Sequence, residues 1–159
     1  MTSQTRVVEL IAELTSRGQT VAVAESLTGG LLAAALTQVP GASACVRGGI
    51  VAYATDLKAH LLGVPTELLE QRGPVDPEVA KAMARGVAAL CGTGMGIATT
   101  GVAGPDPQGT APVGLVYIAT YLAGDGTEQV EQCRFNGSRD QIRTAVVERA
   151  VELALARFQ

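Results

Sequence analysis

Apolar residues recur at helical spacing in the first stretch of the chain. Val7, Leu10, Ile11 and Leu14 share one face over residues 6–16, and Gly18 follows as a stop. The spacing predicts an amphipathic helix laid on a sheet. Residues 20–24 form a short Val-rich apolar run, predicted as a buried central strand. An Ala- and Leu-rich helix over 31–39 ends before Pro40-Gly41, which cannot continue it. Residues 45–54 set Val46, Ile50, Val51 and Tyr53 around Gly48-Gly49, the pattern of a strand with a bulge or a close backbone approach. Thr55-Asp56 then caps a short helix carrying Lys58, His60, Leu61 and Leu62, and residues 66–71 add another turn or two.

Downstream, Asp76-Pro77 is a helix start, and Val79, Met83, Val87 and Leu90 follow at helical spacing. Residues 95–100 read as a strand that runs straight into a Gly/Pro turn over 101–106 and a polar loop to Pro112. A strand over 113–122, a Gly124-Asp125-Gly126 turn and a more polar strand over 127–135 make a hairpin whose second member suits a sheet edge. Ser138 and Gln141 form a capping box for a last helix that turns Ile142, Ala145, Val146, Val151 and Leu155 inward. Helices alternate with strands early and the hairpin comes late. The fold class is therefore α/β, a three-layer α/β/α sandwich with a mixed, mostly parallel sheet and a late antiparallel hairpin.

Length and charge narrow the picture. A chain of 159 residues is expected to make a single domain over 1–159, with no internal repeat or linker. The net charge of -3, three Tyr, two Phe and no Trp argue against a nucleic-acid partner. No apolar run is long enough to span a membrane and no signal peptide is seen, so a cytoplasmic location is expected. Cys45, Cys91 and Cys133 lack metal-ligand spacing and read as small apolar residues. His60 is the only histidine, so no zinc cluster is expected, and a histidine base would have to be His60 itself.

In such sheets, reactive groups belong at the turns beyond the carboxyl ends of the strands. The first of these turns, Ala24-Glu25-Ser26-Leu27-Thr28-Gly29-Gly30, places a hydroxyl beside free N–H groups at a new helix. Ser26 there is either a nucleophile, an anion ligand or part of a simple chain reversal. A serine nucleophile needs a base, and a buried lysine drawn towards its neutral form can serve. Lys58 is such a candidate or else a solvated helix lysine, whereas His60 would point away from it. N–H groups of residues 27–30 suit an oxyanion, and the Gly29-Gly30 pair allows close approach. Glu25 is open to a structural or a substrate-binding role. Thr100, Gly101, Gly104 and Asp106 belong to a turn that can cradle a phosphate or sugar, and Arg139 and Arg143, four apart, can pair with a phosphate or with acidic neighbours.

These residues carry a resemblance. Ala24-Glu25-Ser26-x-Thr28-Gly29-Gly30, Tyr53-x-x-x-x-Lys58, Gly101-x-Ala103-Gly104-Pro105-Asp106, Pro112-Val113-Gly114 and Phe135-x-Gly137-x-Arg139-x-x-Ile142-Arg143 are similar, in the same order, to the C-terminal domain of the competence-damage-inducible protein CinA. The resemblance spans residues 21–143. It implies a nicotinamide-mononucleotide deamidase of the Ser/Lys type, in which Ser26 attacks the carboxamide, Lys58 is its base and Tyr53 lies in the same site. It further implies no metal, no cofactor, and a homodimer or larger assembly. The chain departs from the family pattern at Leu27, often Cys; at Ser138, where an acidic residue is common; and at Pro107-Gln108-Gly109, where relatives usually carry a Gly pair in a slightly longer run. The altered loop leaves room for a different carboxamide, or for a nucleotide-binding or interaction module without turnover.

Overall fold

The computed structural model describes residues 1–159. In chain order its elements are α1 (Ser3–Ser16), β1 (Val21–Glu25), α2 (Leu31–Thr37), β2 (Val46–Val51), α3 (Thr55–Leu62), α4 (Thr66–Arg72), α5 (Pro77–Cys91), β3 (Met95–Gly101), β4 (Leu115–Leu122), β5 (Thr127–Arg134) and α6 (Arg139–Ala156). The five strands are ordered β2-β1-β3-β4-β5. β1 is parallel to both β2 and β3, while β4 is antiparallel to both its neighbours, so β4 alone runs against the rest. The expected mixed sandwich with a late hairpin is the architecture observed.

Alternation along the strands gives the sheet two unlike faces. Val21, Val23, Met95, Ile97, Val116 and Ile118 meet α1, α2 and α6 in a core of large aliphatic side chains. On the opposite face Ala22, Ala24, Ala98 and Ala119 meet α3, α4 and α5. The small face lets α5 lie close. A Cβ added at Gly96 would overlap the Ala84 carbonyl of α5, and one at Gly86 would overlap the Leu62 carbonyl of α3.

Local signals hold with small shifts. The bulge falls at Arg47, because Val21 pairs with Val46 and Ala22 with Gly48. Gly49 is the close approach, with room for a Cβ only at 3.0 Å from Val23 and 3.1 Å from Ala33. Helix α1 starts at Ser3 because the Thr2 side chain accepts from Thr5 N–H. The capping box of Ser138 and Gln141 opens α6 as expected. Strand β4 begins at Leu115 rather than residue 113, since Gly114 takes a left-handed φ of 88° and exchanges backbone hydrogen bonds with Val102 and Phe135. Leu90, which shares helical spacing with Val79, Met83 and Val87, is exposed; the buried row of α5 runs through Val79, Ala80, Met83, Ala84, Val87 and Ala88. Cys45 and Cys133 are buried and Cys91 half-buried, all three as free thiols.

Candidate active site

The chain leaves β1 towards α2 on the large-residue face and leaves β2 towards α3 on the small-residue face. Neighbouring strands whose connections diverge in this way open a crevice at their carboxyl ends. Ser26 directly follows β1, and Lys58 lies in the first turns of α3 beyond β2. Both line one cleft of about 280 Å³.

Lys58 is 1% exposed and among the largest fully buried side chains of the molecule. Its Nζ donates to Ser26 Oγ at 3.0 Å, to the Ala52 carbonyl at 2.7 Å and to the Tyr53 carbonyl at 3.4 Å. No carboxylate lies within ion-pair distance of it. Burial without a counter-charge pulls its pKa from 10.5 down to about 8. The three acceptors differ in kind. Carbonyl oxygens can only accept, so a neutral amine keeps its two N–H bonds on Ala52 and Tyr53 and turns its lone pair to the one partner that carries a proton, the Ser26 hydroxyl. Loss of the ammonium proton therefore leaves Lys58 oriented as a base for Ser26.

The turn that bears Ser26 is tied down from several sides. Ser26 N–H donates to the Thr99 carbonyl, and the Thr28 and Thr99 hydroxyls share a hydrogen bond of 2.8 Å. Glu25 is buried, and its carboxylate accepts from Leu32 N–H at 2.8 Å and Ala33 N–H at 3.0 Å. The helix end offered by the sequence as an anion seat is thus filled by the chain's own carboxylate. Arg143 reaches across from α6, with Nε on the Leu27 carbonyl at 2.9 Å and Nη2 on the Thr28 carbonyl at 3.2 Å. Gly29 N–H is taken by the Ser26 carbonyl, whereas Leu27 and Thr28 N–H have no acceptor within the chain.

The far wall of the cleft is the turn after β3, including Thr100, Gly101, Gly104 and Asp106, with Gln108 beyond it. Arg139, at the first position of α6, donates to the Gly104 carbonyl at 2.7 Å and to the Tyr53 hydroxyl at 3.1 Å, which places a cation at the rim. Of the residues singled out by sequence, Ser26, Tyr53, Lys58, Thr100, Gly101, Gly104, Asp106 and Arg139 line the cleft. Glu25, Thr28, Gly29, Gly30 and Arg143 stand behind the Ser26 turn and do not line it. Pro74 and Val75 were not foreseen. They line the cleft because the Thr100 hydroxyl donates to the Pro74 carbonyl at 2.6 Å, a contact between segments 26 residues apart that no local pattern announces.

The CinA C-terminal domain model matches residues 3–158. The chain belongs to the CinA C-terminal domain family. A CinA-like protein of Frankia casuarinae is 52% identical over 140 residues, 88% of this chain and 32% of that protein. A putative competence-damage inducible protein of Desulforamulus reducens is 46% identical over 141 residues, 89% of this chain and 34% of that protein. The chain spans about a third of the length of these curated relatives. Among solved structures, the competence/damage inducible protein CihA of Agrobacterium tumefaciens superposes with a TM-score of 0.95 at 38% identity, covering 99% of this chain and 96% of that one. The competence damage-inducible protein A of Klebsiella pneumoniae superposes with a TM-score of 0.94 at 29% identity over the full length of both. The CinA sandwich is therefore the fold. No group of His, Cys, Asp and Glu side chains is arranged to hold a metal ion, and no helix is long and apolar enough to cross a membrane.

Proposed function

We propose that this CinA-family chain is an amidohydrolase that converts nicotinamide mononucleotide and water to nicotinate mononucleotide and ammonia. The observation that carries the reading is the buried, uncompensated Lys58 amine at 3.0 Å from Ser26 Oγ. Ser26 Oγ attacks the carboxamide carbon as its proton passes to Lys58 Nζ. The tetrahedral adduct collapses when that proton is delivered to the amide nitrogen, which leaves as ammonia. Water then attacks the ester, Lys58 again takes the proton, and Ser26 is regenerated as the carboxylate departs. The free N–H of Leu27, next to the nucleophile and on the cleft wall, suits the oxyanion. Arg139 at the rim suits the phosphate, and Asp106 suits ribose hydroxyls.

Ammonia release from the mononucleotide, from nicotinamide riboside and from free nicotinamide tests this directly. The wild type should turn over the mononucleotide fastest, and Ser26→Ala should abolish release. Absence of turnover with tight mononucleotide binding would instead identify a binding module, and equal rates for wild type and Ser26→Ala would remove Ser26 as the nucleophile.

A further inference from the structure

Arg143 has a geometry unlike that of a substrate ligand. Two of its nitrogens are committed to main-chain carbonyls of the Ser26 turn, at Leu27 and Thr28, and its third approaches only Asp140 of its own helix, at 3.9 Å. The bonds continue beyond those carbonyls. The Thr28 carbonyl belongs to the same peptide unit as Gly29 N–H, which donates to the Ser26 carbonyl at 3.1 Å. That carbonyl in turn shares a peptide unit with Leu27 N–H, which has no acceptor in the chain and lies on the cleft wall beside the nucleophile. On the shorter branch, Nε grips the Leu27 carbonyl, whose peptide unit carries the equally free Thr28 N–H. Both unpaired N–H groups are therefore the far ends of peptide units anchored, directly or through one hydrogen bond, on a single guanidinium.

We infer that Arg143 is a positioning residue for the oxyanion, fixing and polarising the Leu27 amide on the cleft wall, and holding the Thr28 peptide behind it, without touching substrate. The inference rests on the acyl-transfer reading above. A positive charge on the carbonyl end of a peptide draws electron density from its N–H, and bonds linked in series reinforce one another. Fixed donors of this kind act on charge that develops in the transition state, so they change the chemical step more than ground-state binding. Gly29 makes the grip possible. Its φ is 58°, and a Cβ there would stand 3.2 Å from Arg143 Nη2, directly in the path of the guanidinium.

The test compares wild type with Arg143→Gln, which keeps a donor but removes the charge, and Arg143→Lys, which keeps the charge. Thermal melts first establish that each variant is folded. Labelling of Ser26 by a fluorophosphonate is timed: Ser26 Oγ bonds to phosphorus, fluoride leaves, the Ser26 proton goes to Lys58, and the phosphoryl oxygen takes the oxyanion position. Loss of one oxyanion donor costs on the order of 100-fold or more, so a weakened donor should slow labelling by about tenfold or more in Arg143→Gln, with Arg143→Lys between it and wild type. The Kd for the mononucleotide, by calorimetry, should stay unchanged in both. Equal labelling rates for wild type and Arg143→Gln, or a raised Kd with an unchanged labelling rate, overturns the inference and returns Arg143 to substrate binding. Rapid labelling of a wild type that hydrolyses no carboxamide sinks the deamidase reading alone. A wild type that is never labelled sinks both.

Discussion

Replacing Lys58 by methionine should alter how stability depends on pH. Methionine keeps the length of the side chain but cannot be charged. Lys58 is 1% exposed, lacks an anionic partner, and has a native pKa of about 8 against 10.5 when free. Below pH 8 the native and unfolded chains both hold the proton, and the folded state bears the full desolvation cost of about 3 kcal/mol. Between 8 and 10.5 the unfolded chain holds the proton and the native chain has lost it, so stability rises with pH at up to about 1.4 kcal/mol per unit. Above 10.5 this contribution is level. Urea unfolding of wild type and Lys58→Met at pH 7.5, 8.5, 9.5 and about 10.5 should show the wild type gaining about 3 kcal/mol relative to the variant across the series. Contributions common to both proteins cancel in the difference. At pH 7.5 the variant also loses the bond to the Ala52 carbonyl, which shifts the whole difference by a constant and leaves its slope intact. A difference that stays flat over this range would refute the reasoning, since it would mean that Lys58 titrates in the native protein as it does in water.

The same amine sets the pH dependence of turnover: the single-substrate rate should climb through pH 8, with about a tenth of the base available at pH 7, and a profile flat from pH 6 to 9 would remove Lys58 as the base. Glu25→Ala strands the Leu32 and Ala33 N–H groups at the start of α2 and should cost about 2 kcal/mol in chemical unfolding, a loss well beyond that of a surface Glu→Ala control such as Glu148→Ala. Gly86→Ala, a change that at an ordinary helix position stabilises by up to about 1 kcal/mol, should here destabilise the fold, because the added methyl overlaps the Leu62 carbonyl; a neutral or raised melting temperature would contradict the packing of α5 on α3.

The frame of the fold was legible because its signals are local. Helical periodicity placed α1, α5 and α6, and Asp76-Pro77 and the Ser138–Gln141 box marked two helix starts that the structure keeps. Ser26, Lys58 and the turn after β3 stood out because each follows a strand. What each side chain does behind the cleft was not legible. Glu25 looked available to substrate, yet its partners are seven and eight residues away and depend on how tightly the chain turns into α2. Arg143 matched a phosphate ligand in spacing, but its acceptors are carbonyls more than 110 residues earlier, and a carbonyl leaves no mark on sequence. Pro74 joined the cleft for the same reason.

The thinness of the alanine face fixes a distance. Lys58 rides on α3, α3 rests on α5 at Gly86, and α5 rests on the sheet at Gly96, so two contacts with no side chain between them separate the lysine's helix from the strands beside Ser26. Side chains in a core can relax around a change in volume, but backbone resting on backbone has nothing to give. Every methyl inserted into that stack is passed on as displacement of α3, and a shift of about an ångström is enough to turn a hydrogen bond into a gap. The two glycines therefore act as spacers of zero length, and positions acutely sensitive to enlargement lie behind the cleft, among residues that do not line it.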